Sequence, residues 1–204
     1  MLSIYSIRKV ERQLEMDNFI NIFFIVLLVI YAFFLEFIKK YDVSLSPEKR
    51  REELHKIAEY FPGNTKYIVG YKIDQKHIDL IAINEYGITV VKTINFKGQI
   101  KGNELGDTWS SIPEDRELLF DNPVIENDEL INKLSQRLGY SYNYYSLIYF
   151  INDVELDVSY NKGQDLFVAT PASLAVVVQE ICQKEKCLSE AQTRNLKDKL
   201  LNGK

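Results

Sequence analysis

The chain is poor in cysteine: Cys182 and Cys187 are the only two among 204 residues. Two thiols five residues apart supply neither the four ligands of a structural zinc site nor a disulfide framework, and they read as reduced thiols near a helix end. Histidine is as scarce. His55 and His77 stand singly, without a partner at metal-ligand spacing, and are expected to be exposed. Positive charge is also short, with 25 lysines and arginines against 29 acids, a net charge of -4 and a pI of about 5.4. No whole-protein field therefore draws in phosphate backbones, and any nucleic-acid contact has to be local. Nine glycines and five prolines exclude a collagen-like or low-complexity chain. What remains, 46% apolar and 26% charged residues, is the composition of a folded domain, and the length suits one domain with an appendage.

One long apolar run is present. Residues 19–35, FINIFFIVLLVIYAFFL, contain a single polar residue, Asn21, and the run continues through Glu36, Phe37 and Ile38 to Lys39 and Lys40. About 20 apolar residues suffice to cross a bilayer, and roughly -0.5 kcal/mol for each central Leu, Ile, Phe or Val outweighs Asn21. A cleaved signal peptide fits less well, because two lysines follow where a small-residue cleavage site belongs. A surface helix would need a polar face that residues 22–35 do not offer, and a fully buried core helix is the third alternative. The expected organisation is a short tail at 1–17, a transmembrane helix at 18–40 and a domain at 41–204. Arg8, Lys9 and Arg12 precede the run, while Lys39, Lys40, Lys49, Arg50, Arg51 and Lys56 follow it. This bias predicts a single-pass protein of the cell membrane with its C-terminal domain in the cytoplasm.

Within the domain, Ser46-Pro47-Glu48 is a helix start, and Leu54, Ile57, Ala58 and Phe61 give that helix an apolar face as far as about Tyr60. Strand-like runs follow at 66–73, 78–84 and 88–94, the last two joined by Glu85, Tyr86 and Gly87. A turn at 96–98 leads to a short strand at 99–101 and another strand that carries Thr108 and Trp109. Asn122 and Pro123 open a helix that stops at Gly139. Strands at 145–151 and 166–169 precede two closing helices, one from Pro171 to about Lys184 and one from Ser189, where Ser189 and Gln192 form a capping box. This order predicts an α/β domain with a mixed sheet. Tyr140, Tyr142, Tyr144, Tyr145, Tyr149 and Phe150 could stack on single-stranded bases, but they lack interleaved cations and read as core and sheet packing.

The stretch IDLIAINEYGITVVKTINFKGQIKG from Ile78 to Gly102, then Trp109, then Asn122-Pro123 and the strand YSLIYFI, resembles the nuclease-related (NERD) domain of the restriction-endonuclease-like superfamily. The resemblance spans about residues 52–200 and implies a restriction-endonuclease-like core: a mixed central sheet flanked by helices. It also implies a metal-dependent phosphodiester hydrolysis in which strand carboxylates hold Mg²⁺ and a lysine stabilises developing charge. On that reading Asp79 is the surviving metal ligand, with Ile78 and Leu80 expected on the opposite face of its strand. The family's glutamate and lysine positions are held by Lys92 and Ile94, and Glu52 or Glu53 stands where an early helix carries a glutamate. The implied catalytic positions are thus Asp79, Lys92 and Glu53, and the implied binding positions are Asn122, Glu126 and Trp109.

An ammonium about 4 Å from a divalent ion costs several kcal/mol even at an effective dielectric of about 20. The expectation is therefore a catalytically impaired domain without a cofactor, acting as a binding or scaffold module in a nucleic-acid-related process, with a protein or nucleic-acid partner. Two alternatives stay open. One is an active Mg²⁺-dependent nuclease with a relocated site, drawing on Lys72, Lys76, Glu85 or Glu126; the other is a purely structural spacer. For Asp79 itself the alternative is a strand-end carboxylate that caps a turn or pairs with Lys92.

Overall fold

The computed structural model describes residues 24–31, 45–114, 116–161 and 165–202. The chain divides into two units, 1–44 and 45–204. In the first, residues 24–31 form a helix whose side chains are all exposed. No helix among the described residues is long and apolar enough to cross a membrane. The tail expected at 1–17, and all but residues 24–31 of the span expected at 18–40, lie outside the described residues.

The second unit begins with α1 (Pro47–Glu59), opened by Ser46, whose Oγ accepts from the Lys49 amide at 3.3 Å. Its Leu54 and Ile57, one turn apart, point into the domain. Then come β1 (Lys66–Ile73), β2 (Lys76–Asn84), β3 (Gly87–Ile94), β4 (Gln99–Asn103), β5 (Thr108–Ile112) and β6 (Leu118–Asp121). Helix α2 (Pro123–Leu138) follows, then β7 (Tyr144–Phe150), β8 (Glu155–Ser159), β9 (Leu166–Ala169), α3 (Leu174–Ile181) and α4 (Glu190–Asn202). The capping box is formed: the Ser189 amide donates to Gln192 Oε1 at 2.8 Å, and the Gln192 amide to Ser189 Oγ at 3.3 Å.

The expected single mixed sheet is two mixed sheets. Five strands run in the order β1-β2-β3-β7-β9, and four in the order β6-β5-β4-β8. The first three strands of the larger sheet are antiparallel, while β3-β7 and β7-β9 are parallel. Alternation along β2 and β3 sends their apolar side chains to both faces. On one face Leu80, Ala82 and Val91 meet Leu54 and Ile57 of α1 and Leu174, Val178 and Ile181 of α3. On the other, Ile81, Ile83, Ile88 and Val90 meet Leu130 and Leu134 of α2 and Leu196 and Leu200 of α4.

The smaller sheet grows out of the larger one. Parallel neighbours β3 and β7 continue through four-residue corners, 95–98 and 151–154, into β4 and β8, which are again parallel neighbours. Asn152 ties the two corners, donating to Asn95 Oδ1 at 3.0 Å and to the Phe96 carbonyl at 2.8 Å. Gly98 turns its corner at φ 79°, where a Cβ would overlap the Ile112 carbonyl, so no other residue fits. Strands β6 and β8 were not foreseen. Both lie at edges of the smaller sheet, and their half-exposed sequences LLFD and ELDVS lack a continuous apolar signal. Helix α3 is shorter than expected, because Ser173 Oγ accepts from the Thr170 amide at 2.9 Å and closes a turn over residues 170–173 first.

Behind the smaller sheet, Ile100 and Trp109 pack with Ile94, Val124, Ile148, Phe150 and Val168. Trp109 lies against Gly102, where a Cβ would overlap the indole ring. Gly102→Ala is expected to cost about 1–3 kcal/mol by overpacking, and Trp109→Ala about 3–5 kcal/mol by leaving a cavity. Urea unfolding of the two variants checks both values.

Candidate functional site

Asp79 sits at an irregularity in the β1-β2 ladder. Pairing runs from Lys66↔Ile83 to Val69↔Leu80 and resumes at Tyr71↔Ile78, skipping Gly70 and Asp79. Gly70 adopts φ 64°, a left-handed conformation that glycine tolerates. The alternation of faces slips at this step. Leu80 joins the core under α1, whereas Ile78 joins the core under α2, so the two do not share a face as expected from simple alternation.

The slip turns the Asp79 carboxylate toward α1. Its Oδ2 accepts from the Thr93 amide at 2.8 Å and from the Thr93 hydroxyl at 2.7 Å, and its Oδ1 accepts from Arg50 Nη1 at 3.3 Å. The aspartate is 8% exposed and Arg50 48%. Arg50 lies one helical turn before Leu54, so the same packing that docks α1 delivers the guanidinium. Glu53 is next along this flank, with a side chain 13% exposed that accepts from Lys56 Nζ at 2.7 Å. Its neighbour Glu52 is exposed beside Arg51 and His55, so Glu53 is the helix carboxylate that faces the sheet. The Tyr149 phenol on β7 is pushed up to about 12, by burial first and by the charge of Glu53 next.

Lys92 points the other way. It follows Val90 toward α2 and donates to Glu126 Oε1 at 2.6 Å. The ammonium therefore does not confront Asp79, and the expected repulsion of a metal by Lys92 is replaced by a shortage of ligands. Ile94 is a core side chain beside Trp109 and Phe150. The structure thus brings Asp79 and Glu53 to the α1 side and leaves Lys92 with Glu126 on the α2 side.

Other candidate carboxylates are committed elsewhere. Glu85, just past the end of β2 and about 20 Å from Asp79 at the strand's rise per residue, pairs with Lys186 at 2.9 Å. Lys76 pairs with Glu129 on α2. His55 and His77 are exposed. The residues around Asp79 do not fit the Mg²⁺ that the resemblance implies: the carboxylate is engaged at both oxygens, and no group of three or more His, Cys, Asp or Glu among the described residues could hold a metal.

Two of the binding candidates have structural places. Asn122 is buried; its Nδ2 donates to the carbonyls of Asn103, Glu104 and Gly106 at 3.1, 3.1 and 2.5 Å, and its Oδ1 caps α2 through the Val124 amide at 2.9 Å. Trp109 is buried, and its Nε1 donates to the Asn103 carbonyl at 2.8 Å. The residues that sequence reasoning missed are Arg50, which entered only as one of the basic residues after the apolar run, and Thr93, hidden between the two motif positions. A glycine inside a strand of β-branched, aromatic and lysine residues, Gly70, was the available signal for a local irregularity.

A separate open cavity of about 490 Å³ lies between the β4-β5 turn, α2 and the start of β7. Glu104, Asp128 and Asp165 line it together with Tyr142 and Tyr144. Tyr144 is pushed up to about 12, mainly by burial. Burial first, and the Glu104 charge second, raise Asp128 above the ordinary carboxylate range. A surface of this charge repels a phosphate backbone.

Compared with known proteins, residues 48–151 match the family model described as nuclease-related domain. The match runs from the first turn of α1 to the residue after β7 and takes in Asp79, Lys92, Trp109, Asn122 and Glu126. No curated protein and no solved structure matches the chain.

The raised Asp128 gives a pH-dependent expectation. A carboxyl whose folded pKa lies above its unfolded value imposes no penalty at pH below both. The penalty grows as pH rises through the folded pKa and is complete above it. Asp128→Asn should therefore stabilise the domain at pH 7, by less than about 1 kcal/mol after solvent screening, and should lose that advantage near pH 3. Melting temperatures across that range check the sign.

Proposed function

The chain belongs to the nuclease-related domain family, and from that premise we propose that it serves a nucleic-acid-related process as a binding or scaffold module, not as a cutting enzyme. The observation that carries this reading is the state of Asp79, whose carboxylate is bonded to Thr93 and Arg50, while Lys92 and Ile94 hold the positions of the family's glutamate and lysine. Phosphodiester hydrolysis of the implied kind needs carboxylates that converge on a metal, with a metal-activated water as nucleophile. The α1 flank offers Asp79 and Glu53 but seats a guanidinium beside the first. Fold kinship does not carry activity with it.

The same reading includes a membrane anchor at residues 18–40 and a domain held at the cytoplasmic face. It is supported by the apolar run at 19–35 and the basic residues that follow it. The net charge of -4 and the carboxylate-lined cavity favour a protein partner over a phosphate backbone.

A second reading, an active Mg²⁺-dependent nuclease with a relocated site, draws on one observation: Asp79 points toward α1, the helix that carries Glu53. Incubation of the full-length chain, purified in detergent, with single- and double-stranded DNA and RNA in Mg²⁺ or Mn²⁺ separates the two. No cleavage above that of the Asp79→Ala variant is expected. Cleavage that disappears in Asp79→Ala would establish the second reading.

A further inference from the structure

We infer that the open cavity between the β4-β5 turn, α2 and the start of β7 is a binding site for an aliphatic polyammonium ligand, ammonium groups carried on methylene chains. The cavity is on the α2 side of the domain, whereas Asp79 faces α1, so the inference holds whether or not the domain cuts nucleic acid. Its volume of about 490 Å³ falls within the range of small-molecule sites. Its charge has one sign: Glu104, Asp128 and Asp165 line it, and no lysine or arginine among the described residues does. Glu104 and Asp128 come from different elements, the β4-β5 turn and α2, and stand near enough for the charge of one to act on the other. A cation placed between such like charges relieves their repulsion.

Three further features select the kind of cation. The carboxylates do not converge on one point: no group of three or more His, Cys, Asp or Glu among the described residues could hold a metal. The charge to be met is therefore spread, as it is along a polyamine. Between the carboxylates the wall is apolar and aromatic. Val124, Ile131 and Leu166 suit methylene groups, and Tyr142 and Tyr144 supply rings that attract an ammonium. The wall also holds an unspent acceptor. Ser146, 3% exposed, lines the cavity from β7 and accepts from Asn127 Nδ2 at 2.8 Å, while the fully buried Asn127 Oδ1 has no hydrogen-bond partner among the described residues. Such an acceptor calls for an N–H donor, directly or through a bridging water, and a phosphate or carboxylate ligand offers none. Glu104 is positioned by the Asn161 amide, which donates to its Oε2 at 2.7 Å and leaves Oε1 to a ligand.

The test is isothermal titration calorimetry of the full-length chain, purified in an uncharged detergent, with spermidine as the probe. Saturable binding at a single site is expected. Asp128→Asn, a substitution expected to stabilise the domain at neutral pH, should weaken binding roughly five- to tenfold. Glu104→Gln should do the same, and its amide oxygen can still accept from Asn161. Glu59→Gln, on the helix packed against the opposite face of the larger sheet, should leave binding unchanged, and a diol of the same chain length should not bind. An acetylated, amidated peptide with two lysines distinguishes the source of the ligand: binding as tight as that of spermidine assigns a lysine-bearing protein partner, and weaker binding assigns a free polyamine. Absence of saturable binding at millimolar spermidine overturns the inference, and so do unchanged affinities in Asp128→Asn and Glu104→Gln. An equal loss in Glu59→Gln overturns it too, since it marks a general attraction of amines to an acidic protein, as does a diol that binds as well as the amine.

Discussion

A nearly buried carboxylate has to find its counter-charge within the protein, and in this domain the solution joins three elements at one point. Asp79 belongs to β2, Thr93 to β3 and Arg50 to α1. The bonds among them close the end of the β2-β3 ladder, which would otherwise leave the Thr93 amide without a partner, and they pin the first turn of the helix to the sheet. The ion pair contributes modestly to stability, because Arg50 is half-exposed and solvent screens it. The hydrogen bonds to Thr93 contribute more, because a buried amide left unpaired costs about 1–3 kcal/mol. On the non-catalytic reading proposed above, a site that holds the polypeptide together in this way has a structural role in place of an ion-binding one.

The same economy of elements shapes the whole domain. The strands that carry Thr93 and Tyr149 run on around glycine- and asparagine-built corners into the smaller sheet, so the region around Asp79 and the core around Trp109 share β3 and β7. Asn122 then closes the smaller sheet onto α2 by bonding three carbonyls of the β4-β5 connection while capping the helix. Family positions that looked like ligand contacts in the sequence are here spent on architecture. On the proposed non-catalytic reading, the recognisable pattern persists because these residues hold the fold.

Much of the fold was legible because its signals are local. Ser46-Pro47, Asn122-Pro123 and Ser189 with Gln192 mark helix starts that the structure has where expected, and the glycine turn at Gly87 joins β2 to β3. The strands that escaped, β6 and β8, are half-exposed edges whose burial depends on partners distant in sequence. The site was less legible for a related reason. Alternation alone puts Ile78 and Leu80 together, and only an interruption of the ladder at Gly70 and Asp79 separates them and turns Asp79 to α1. Arg50 is one of several cations on α1, and nothing in its spacing distinguishes a counter-ion for Asp79 from a solvated side chain. Lys92, expected to reverse the charge at the family's glutamate position, has its partner, Glu126, across the other face.

The central claim is that the charge beside Asp79 comes from the protein and not from a metal. Anomalous diffraction from crystals of the native chain soaked in manganese measures this directly. The account predicts no anomalous peak within bonding distance of Asp79, with the Arg50 guanidinium remaining on its carboxylate. A manganese ion ligated by Asp79 and further protein oxygens, with Arg50 displaced, would contradict it.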